Sequence, residues 1–155
     1  MSKFCIDKEL PEHLLNERAV AFPEKYWKQK QVLRVKFLGG TATQQSFVKE
    51  TVKAWLRVIN LKLQYVTSGN SDIRITFDSN DGAWSYIGTD CAMIPQNEAT
   101  MNLGWLDESV VLHEFGHAFG MGHEHQNPKG GIKWNESAVI ADLSKPPNSW
   151  DLETI

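Results

Sequence analysis

Only two cysteines, Cys5 and Cys91, occur in 155 residues, too few and too far apart for a disulfide framework. They can pair, sit free or differ in role. No apolar run approaches the length of a bilayer-spanning helix, so no membrane partner is expected. The N-terminus, Met-Ser-Lys-Phe-Cys-Ile-Asp-Lys-Glu-Leu, lacks the apolar stretch of about seven or more residues that a secretory leader carries. The expectation is therefore an intracellular chain or one that begins after a removed leader. There is no basic stripe either. Lysine and arginine number 16 against 19 acidic residues, a net charge of −3, which argues against nucleic acid as a partner. Internal repeats and low-complexity runs are missing. What remains, 41% apolar and 23% charged residues, is an ordinary globular composition, and the length suits one domain with its own core. A monomer is the expectation.

Residues 1–31 are charged and aperiodic, punctuated by Pro11 and Pro23, and read as an N-terminal extension with a candidate short helix at 11–19. The domain proper is expected over 32–155. Residues 32–38 alternate and end at Gly39-Gly40, which predicts a strand and a turn. Thr41 or Thr43 can cap a helix in which Phe47, Val48, Val52, Trp55, Leu56 and Ile59 recur at helical spacing. Short strands are predicted at 63–66, 73–77, 84–88 and 100–105. A helix opened by Asp107 or Ser109 follows, and Asn135 caps a last one through Leu143. A strand–helix–strand start favours a crossover to a parallel partner. The order implies an α/β sandwich, helices packed on a mixed sheet.

The eleven residues from His113 to His123 read His-Glu-Phe-Gly-His-Ala-Phe-Gly-Met-Gly-His. Two histidines four apart share one helix face, so His113 and His117 can reach the same ion. Gly120 can take positive φ, end the helix and let the chain bend back, bringing His123 in as a third ligand. Three protein ligands leave a tetrahedral position for water, the pattern of a catalytic rather than a structural zinc site. Glu114, beside the first ligand, is placed to take that water's proton. The chemistry is metal-assisted amide hydrolysis, with a peptide bond as the natural substrate. His125 offers a fourth ligand, but an open position fits hydrolysis better, so it is expected beside the site or at the surface. His13 reads as a solvated residue.

This motif resembles that of the metzincin clan of zinc endopeptidases. Glu124, directly after the third histidine, is similar to the astacin branch of that clan. The resemblance covers residues 32–127 and is specific only over about 105–126. It implies an α+β, zincin-like fold, with a twisted, mixed five-stranded sheet on two main helices, the second carrying the zinc motif. It implies one catalytic Zn2+ held by His113, His117 and His123, with Glu114 as general base. Gly120 and Glu124 would support the site from beneath, Glu124 as a hydrogen-bonded or ion-paired carboxylate. An antiparallel edge strand above the zinc helix would bind a peptide or protein substrate by extending the sheet. Its position here is Trp84, Ser85, Tyr86, Ile87 and Gly88; the alternative is that Trp84 and Tyr86 are ordinary core or rim aromatics. The family's habit is extracellular proteolysis.

Metzincins also carry a methionine turn beyond the third histidine, and astacins a tyrosine after it. Here the last methionine is Met121, and no tyrosine follows Tyr86. The C-terminal subdomain is therefore expected to be incomplete, in a fragment or a natural short form. Three functional readings follow: a metalloendopeptidase, a non-catalytic zinc- or peptide-binding domain, and a hydrolase of other amides. The Cys5 thiolate is a candidate zinc-blocking ligand, as latency cysteines are in some zinc proteases; the alternative is an ordinary thiol at the domain edge.

Overall fold

The computed structural model describes residues 23–123 and 135–145. Five strands make one mixed sheet in the order β2-β1-β3-β5-β4. They are β1 (Val32–Phe37), β2 (Lys62–Tyr65), β3 (Ile73–Thr76), β4 (Ala83–Ser85) and β5 (Met101–Leu103). β1 runs parallel to β2 and β3, β3 parallel to β5, and β4 alone is antiparallel, at the edge. The helices are α1 (Ala42–Thr51), α2 (Lys53–Leu56), α3 (Glu108–Ala118) and α4 (Glu136–Leu143). The element order and the expected parallel pairing of the first two strands are both present.

Period-two alternation builds the sheet's inner face. Leu33 and Val35 on β1 lie beside Ile73 and Ile75 on β3, all fully buried. Phe37 continues that face, stacked on Tyr65 at 5.7 Å and Phe77 at 6.0 Å between ring centroids. Val48 and Val52 from the first helical stretch, and Val111, Phe115, Ala118 and Phe119 around α3, pack into the same cluster.

Thr41, rather than Thr43, caps α1. Its hydroxyl accepts from the Gln44 amide at 3.2 Å, and Gln44 Oε1 accepts from the Thr41 amide at 2.8 Å, a reciprocal box. The helix expected to run unbroken to Ile59 divides at Val52, where bonding tightens so that the Trp55 amide reaches the Val52 carbonyl at 3.1 Å. Trp55 then meets α3. Its indole Nε1 donates to the Leu112 carbonyl at 2.8 Å, and its ring lies beside Gly116, where a Cβ would already touch it. One variable position of the histidine motif is thus filled by glycine where two helical segments approach closely.

The strand expected over 84–88 is shorter and begins one residue earlier. Gly88 takes φ +51, with the Lys25 carbonyl where a Cβ would stand, and opens a 3-10 turn, Gly88–Ala92, that carries the chain out of the sheet. Ahead of β4, the buried Asn102 fixes the turn. Its Nδ2 donates to the Asp78 and Gly82 carbonyls at 2.9 and 2.6 Å, and its Oδ1 accepts from the Asp78 amide and the Thr76 hydroxyl, both at 2.9 Å. All four hydrogen-bonding positions of one amide are used. Among the described residues, no helix is long and apolar enough to cross a membrane.

Candidate metal centre

Helix α3 positions the site, its start defined by a capping side chain and its end by a glycine. Asp107 is the cap: its Oδ1 accepts from the Val110 amide at 3.0 Å and from the Ser109 hydroxyl at 2.6 Å. At the C-terminus Gly120 takes φ +108. The Gly120 amide donates to the His117 carbonyl at 2.8 Å and the Met121 amide to the Gly116 carbonyl at 3.0 Å. This is the paired 5→2 and 6→1 bonding of a Schellman turn, which needs a left-handed residue at Gly120. The chain reverses there, and His123 returns to the helix face.

The three imidazoles converge. Nε2 of His113 and of His117 are 3.0 Å apart, and Nε2 of His123 is 3.1 Å from each. Ligands of a tetrahedral zinc at about 2.0–2.1 Å stand about 3.3 Å from one another, so the spacing is that of a common ligand shell within a few tenths of an ångström. The triad is also the one His/Cys/Asp/Glu group among the described residues whose ligand atoms gather closely enough to hold a metal. His117 is buried, His123 half-buried and His113 exposed, so the cluster opens to solvent on one side.

His117 Nδ1 lies 2.7 Å from the Met121 carbonyl. A carbonyl only accepts, so Nδ1 carries the proton and Nε2 presents its lone pair to the other two rings. Several lone pairs aimed at one point suit a cation better than they suit each other, and three imidazoles suit zinc among other divalent transition metals. Glu114, on the next helical position after His113, is almost fully buried at 1% exposure. The arrangement joins a face that could hold a cation to a sequestered carboxylate.

The other expected site residues are distributed as follows. Trp84 and Ser85 lie in β4, both buried; the Tyr86 amide still reaches the Thr100 carbonyl at 3.0 Å; Ile87 and Gly88 lead out of the sheet into the turn. β4 packs against α3, and its outer edge has no strand beside it among the described residues. Glu124, His125, His13 and Cys5 lie outside the described residues. Cys91 is a free, fully buried thiol whose pKa burial pushes up from 9.0 to about 12.

Residues that sequence reading did not single out support this frame. Arg74, in β3, is fully buried, and its guanidinium donates to the carbonyls of Ser71 (2.5 Å), Glu98 (2.7 Å), Cys91 and Ile94 (both 3.0 Å). It thereby ties the segment after β4 to the sheet; desolvation lowers its pKa, while nearby Cys91, Asp72 and Glu98 oppose that shift. A charged residue between two isoleucines looks like an outward-facing strand position, so the sequence carries no sign of its burial.

A family model described as Astacin, a peptidase family, matches residues 19–131. Blastula protease 10 of Paracentrotus lividus is 25% identical over 132 residues, 82% of this chain and 21% of that protein. Protein SpAN of Strongylocentrotus purpuratus is 24% identical over 116 residues, 72% of this chain and 18% of that protein. The chain therefore spans about a fifth of the length of these curated relatives. A solved structure of myroilysin matches at TM-score 0.76 and 39% identity, covering 86% of this chain and 68% of that one. A second myroilysin structure matches at TM-score 0.68 and 38% identity, covering 96% and 64%. With the mixed five-stranded sheet and the histidine triad of the helix and its following turn, these matches establish that the chain belongs to the astacin family of peptidases.

Proposed function

We propose that this chain is a zinc-dependent metalloendopeptidase acting on peptide or protein substrates, with its catalytic domain over residues 32–155. The observation that carries the reading is the triangle of Nε2 atoms of His113, His117 and His123, with sides of 3.0–3.1 Å. These three residues would hold the ion, His117 with its proton committed to the Met121 carbonyl. A bound zinc ion would supply Lewis-acid polarisation of a water molecule and of the scissile carbonyl.

The remaining chemistry belongs to the chain. Glu114 accepts the proton that the attacking water loses and passes it to the leaving amine nitrogen, so one carboxylate acts first as base and then as acid. Its burial leaves the carboxylate little contact with bulk water. Gly120 sets the reversal that returns His123, and Glu124 is assigned a supporting role beneath the site on the family pattern alone. Trp84, Ser85, Tyr86, Ile87 and Gly88 form the substrate side. The outer edge of β4 offers main-chain donors and acceptors to an extended peptide, whose strand would add to the sheet. Because the Trp84 and Ser85 side chains are buried, their contribution is through the backbone. An extracellular place of work follows the family's habit.

The test is hydrolysis of a mixed peptide library by the chain with one equivalent of zinc, after removal of the metal by a chelator, and after its return. Cleavage that disappears and reappears with the metal, and that His113→Ala abolishes, supports the reading. One equivalent of tightly bound zinc without cleavage of any peptide leaves a non-catalytic zinc- or peptide-binding domain in its place. Cleavage of other amides alone identifies a different hydrolase.

A further inference from the structure

The last four carbonyls of a helix have no partner within it. In α3 the Phe115 carbonyl accepts from the Phe119 amide at 2.9 Å, the Gly116 carbonyl from Phe119 and Met121, and the His117 carbonyl from Gly120. The Ala118 carbonyl receives its donor from far away in sequence: the indole Nε1 of Trp27, 2.7 Å away and buried. Trp27 itself belongs to the hydrophobic core at 7% exposure.

The two residues before Trp27 make related contacts. The Tyr26 ring covers Gly120 so closely that a Cβ there would stand 2.6 Å from Tyr26 Cδ1. The Lys25 ammonium pairs with Asp90 at 2.8 Å, both side chains being largely buried, and the Lys25 carbonyl fills the space beside Gly88. Three consecutive residues thus touch the turn that delivers His123 and the turn that ends β4.

We propose that residues 23–27 form a strap that positions the metal centre against the substrate strand, with Trp27 as the positioning residue for His123 and Lys25 its counterpart at β4. The proposal rests on the triad being a metal site. Trp27 completes the end of α3 immediately before Phe119-Gly120, and Tyr26 presses on the one residue whose left-handed backbone reverses the chain. Without that donor the Ala118 carbonyl is left buried and unpaired, a penalty that the turn relieves by moving. His123 then drifts from the other two rings.

The experiment measures zinc affinity by chelator competition, and the visible spectrum of the cobalt-substituted protein, in the wild type, Trp27→Phe and Val35→Ala. Val35→Ala removes buried core volume in β1, outside the helix and turn that carry the triad, and reports what loss of stability alone does. The proposal expects Trp27→Phe to fold, to bind zinc about tenfold more weakly and to alter the cobalt spectrum, as loss of a supporting contact does at metal sites. Val35→Ala should keep both readouts at wild-type values. Zinc affinity in Trp27→Phe within a factor of about two of wild type, with an unchanged spectrum, overturns it. If Trp27→Phe does not fold, Tyr26→Ala decides, since Tyr26 is 45% exposed and touches Gly120: a shifted cobalt spectrum supports the strap and an unchanged one overturns it. A wild type that binds no metal removes the metal-site reading itself, a different outcome from either.

Discussion

His117 points its Nδ1 at the carbonyl of Met121, 2.7 Å away, four residues on and beyond the end of its own helix. The bond links two events in the fold. One is the choice of ring tautomer at a histidine of the triad; the other is the reversal at Gly120 that places Met121 within reach. Orientation of the second imidazole and delivery of the third therefore depend on the same turn.

Gly120→Ala tests that dependence. Its φ of +108 is strained for any residue with a Cβ, and the new atom would meet the Tyr26 ring. Zinc affinity should fall by about 10–100-fold, the usual loss when a contact that orients a ligand is broken. Chelator competition measures it, and an affinity equal to wild type would mean that the turn does not set the triad.

Asn102→Leu keeps much of the side-chain volume but strips the turn before β4 of its partners. The Asp78 and Gly82 carbonyls each lose one of two donors, and the Asp78 amide loses its side-chain acceptor. Unfolding free energy in urea should drop by about 2 kcal/mol or more. Zinc stoichiometry should stay at one, while KM for peptides rises because the edge strand is no longer held. A fall in zinc binding with KM unchanged would assign Asn102 to the wrong side of the site.

Cys91 should be chemically silent in the native chain. In a Cys5→Ser background, a maleimide reagent should label nothing until denaturant is added, because the thiol is fully buried and its pKa is pushed from 9.0 to about 12. The sign for stability follows. Between pH 9 and 12 the unfolded chain loses the thiol proton while the folded chain keeps it, so folding loses stability as pH rises through that window. Below pH 9 the contribution is fully present. Tyr65 acts in the same direction, its pKa raised from 10.0 to about 12 by burial and then by Glu50. Cys91→Ala and Tyr65→Phe should each flatten the alkaline decline seen in urea unfolding at stepped pH.

Metal binding should be visible as stability. Zinc at a free concentration about 100 times its dissociation constant should add about 2.7 kcal/mol to unfolding, raising the thermal midpoint. His113→Ala should remove the zinc-dependent rise and leave the metal-free midpoint close to wild type, since His113 is exposed. A midpoint that ignores zinc would argue that the triad does not bind it.

Much of the site was legible because it is local. His113 and His117 are related by helical spacing alone, and the φ required of Gly120 follows from where the helix must stop. The capping box at Thr41 was also written nearby, in Gln44 three residues on, though Thr43 competed until the reciprocal bonds were seen. Trp27 was not legible. Its partner is 91 residues away, and nothing around it marks an indole needed at a helix end. Arg74 and Asn102 were hidden for a related reason: polar residues alternating with apolar ones in a strand usually face water, and here a loop and a turn cover them. The length of β4 was misread because the carbonyl that meets Gly88 comes from Lys25, distant in sequence.

The most direct test compares peptide hydrolysis by the wild type and Glu114→Gln, each carrying one equivalent of zinc. Glutamine keeps the shape of the side chain and cannot take the proton. Glu114→Gln should retain zinc at wild-type affinity and lose at least about a hundredfold in kcat. Equal turnover by the two zinc-loaded proteins would contradict it.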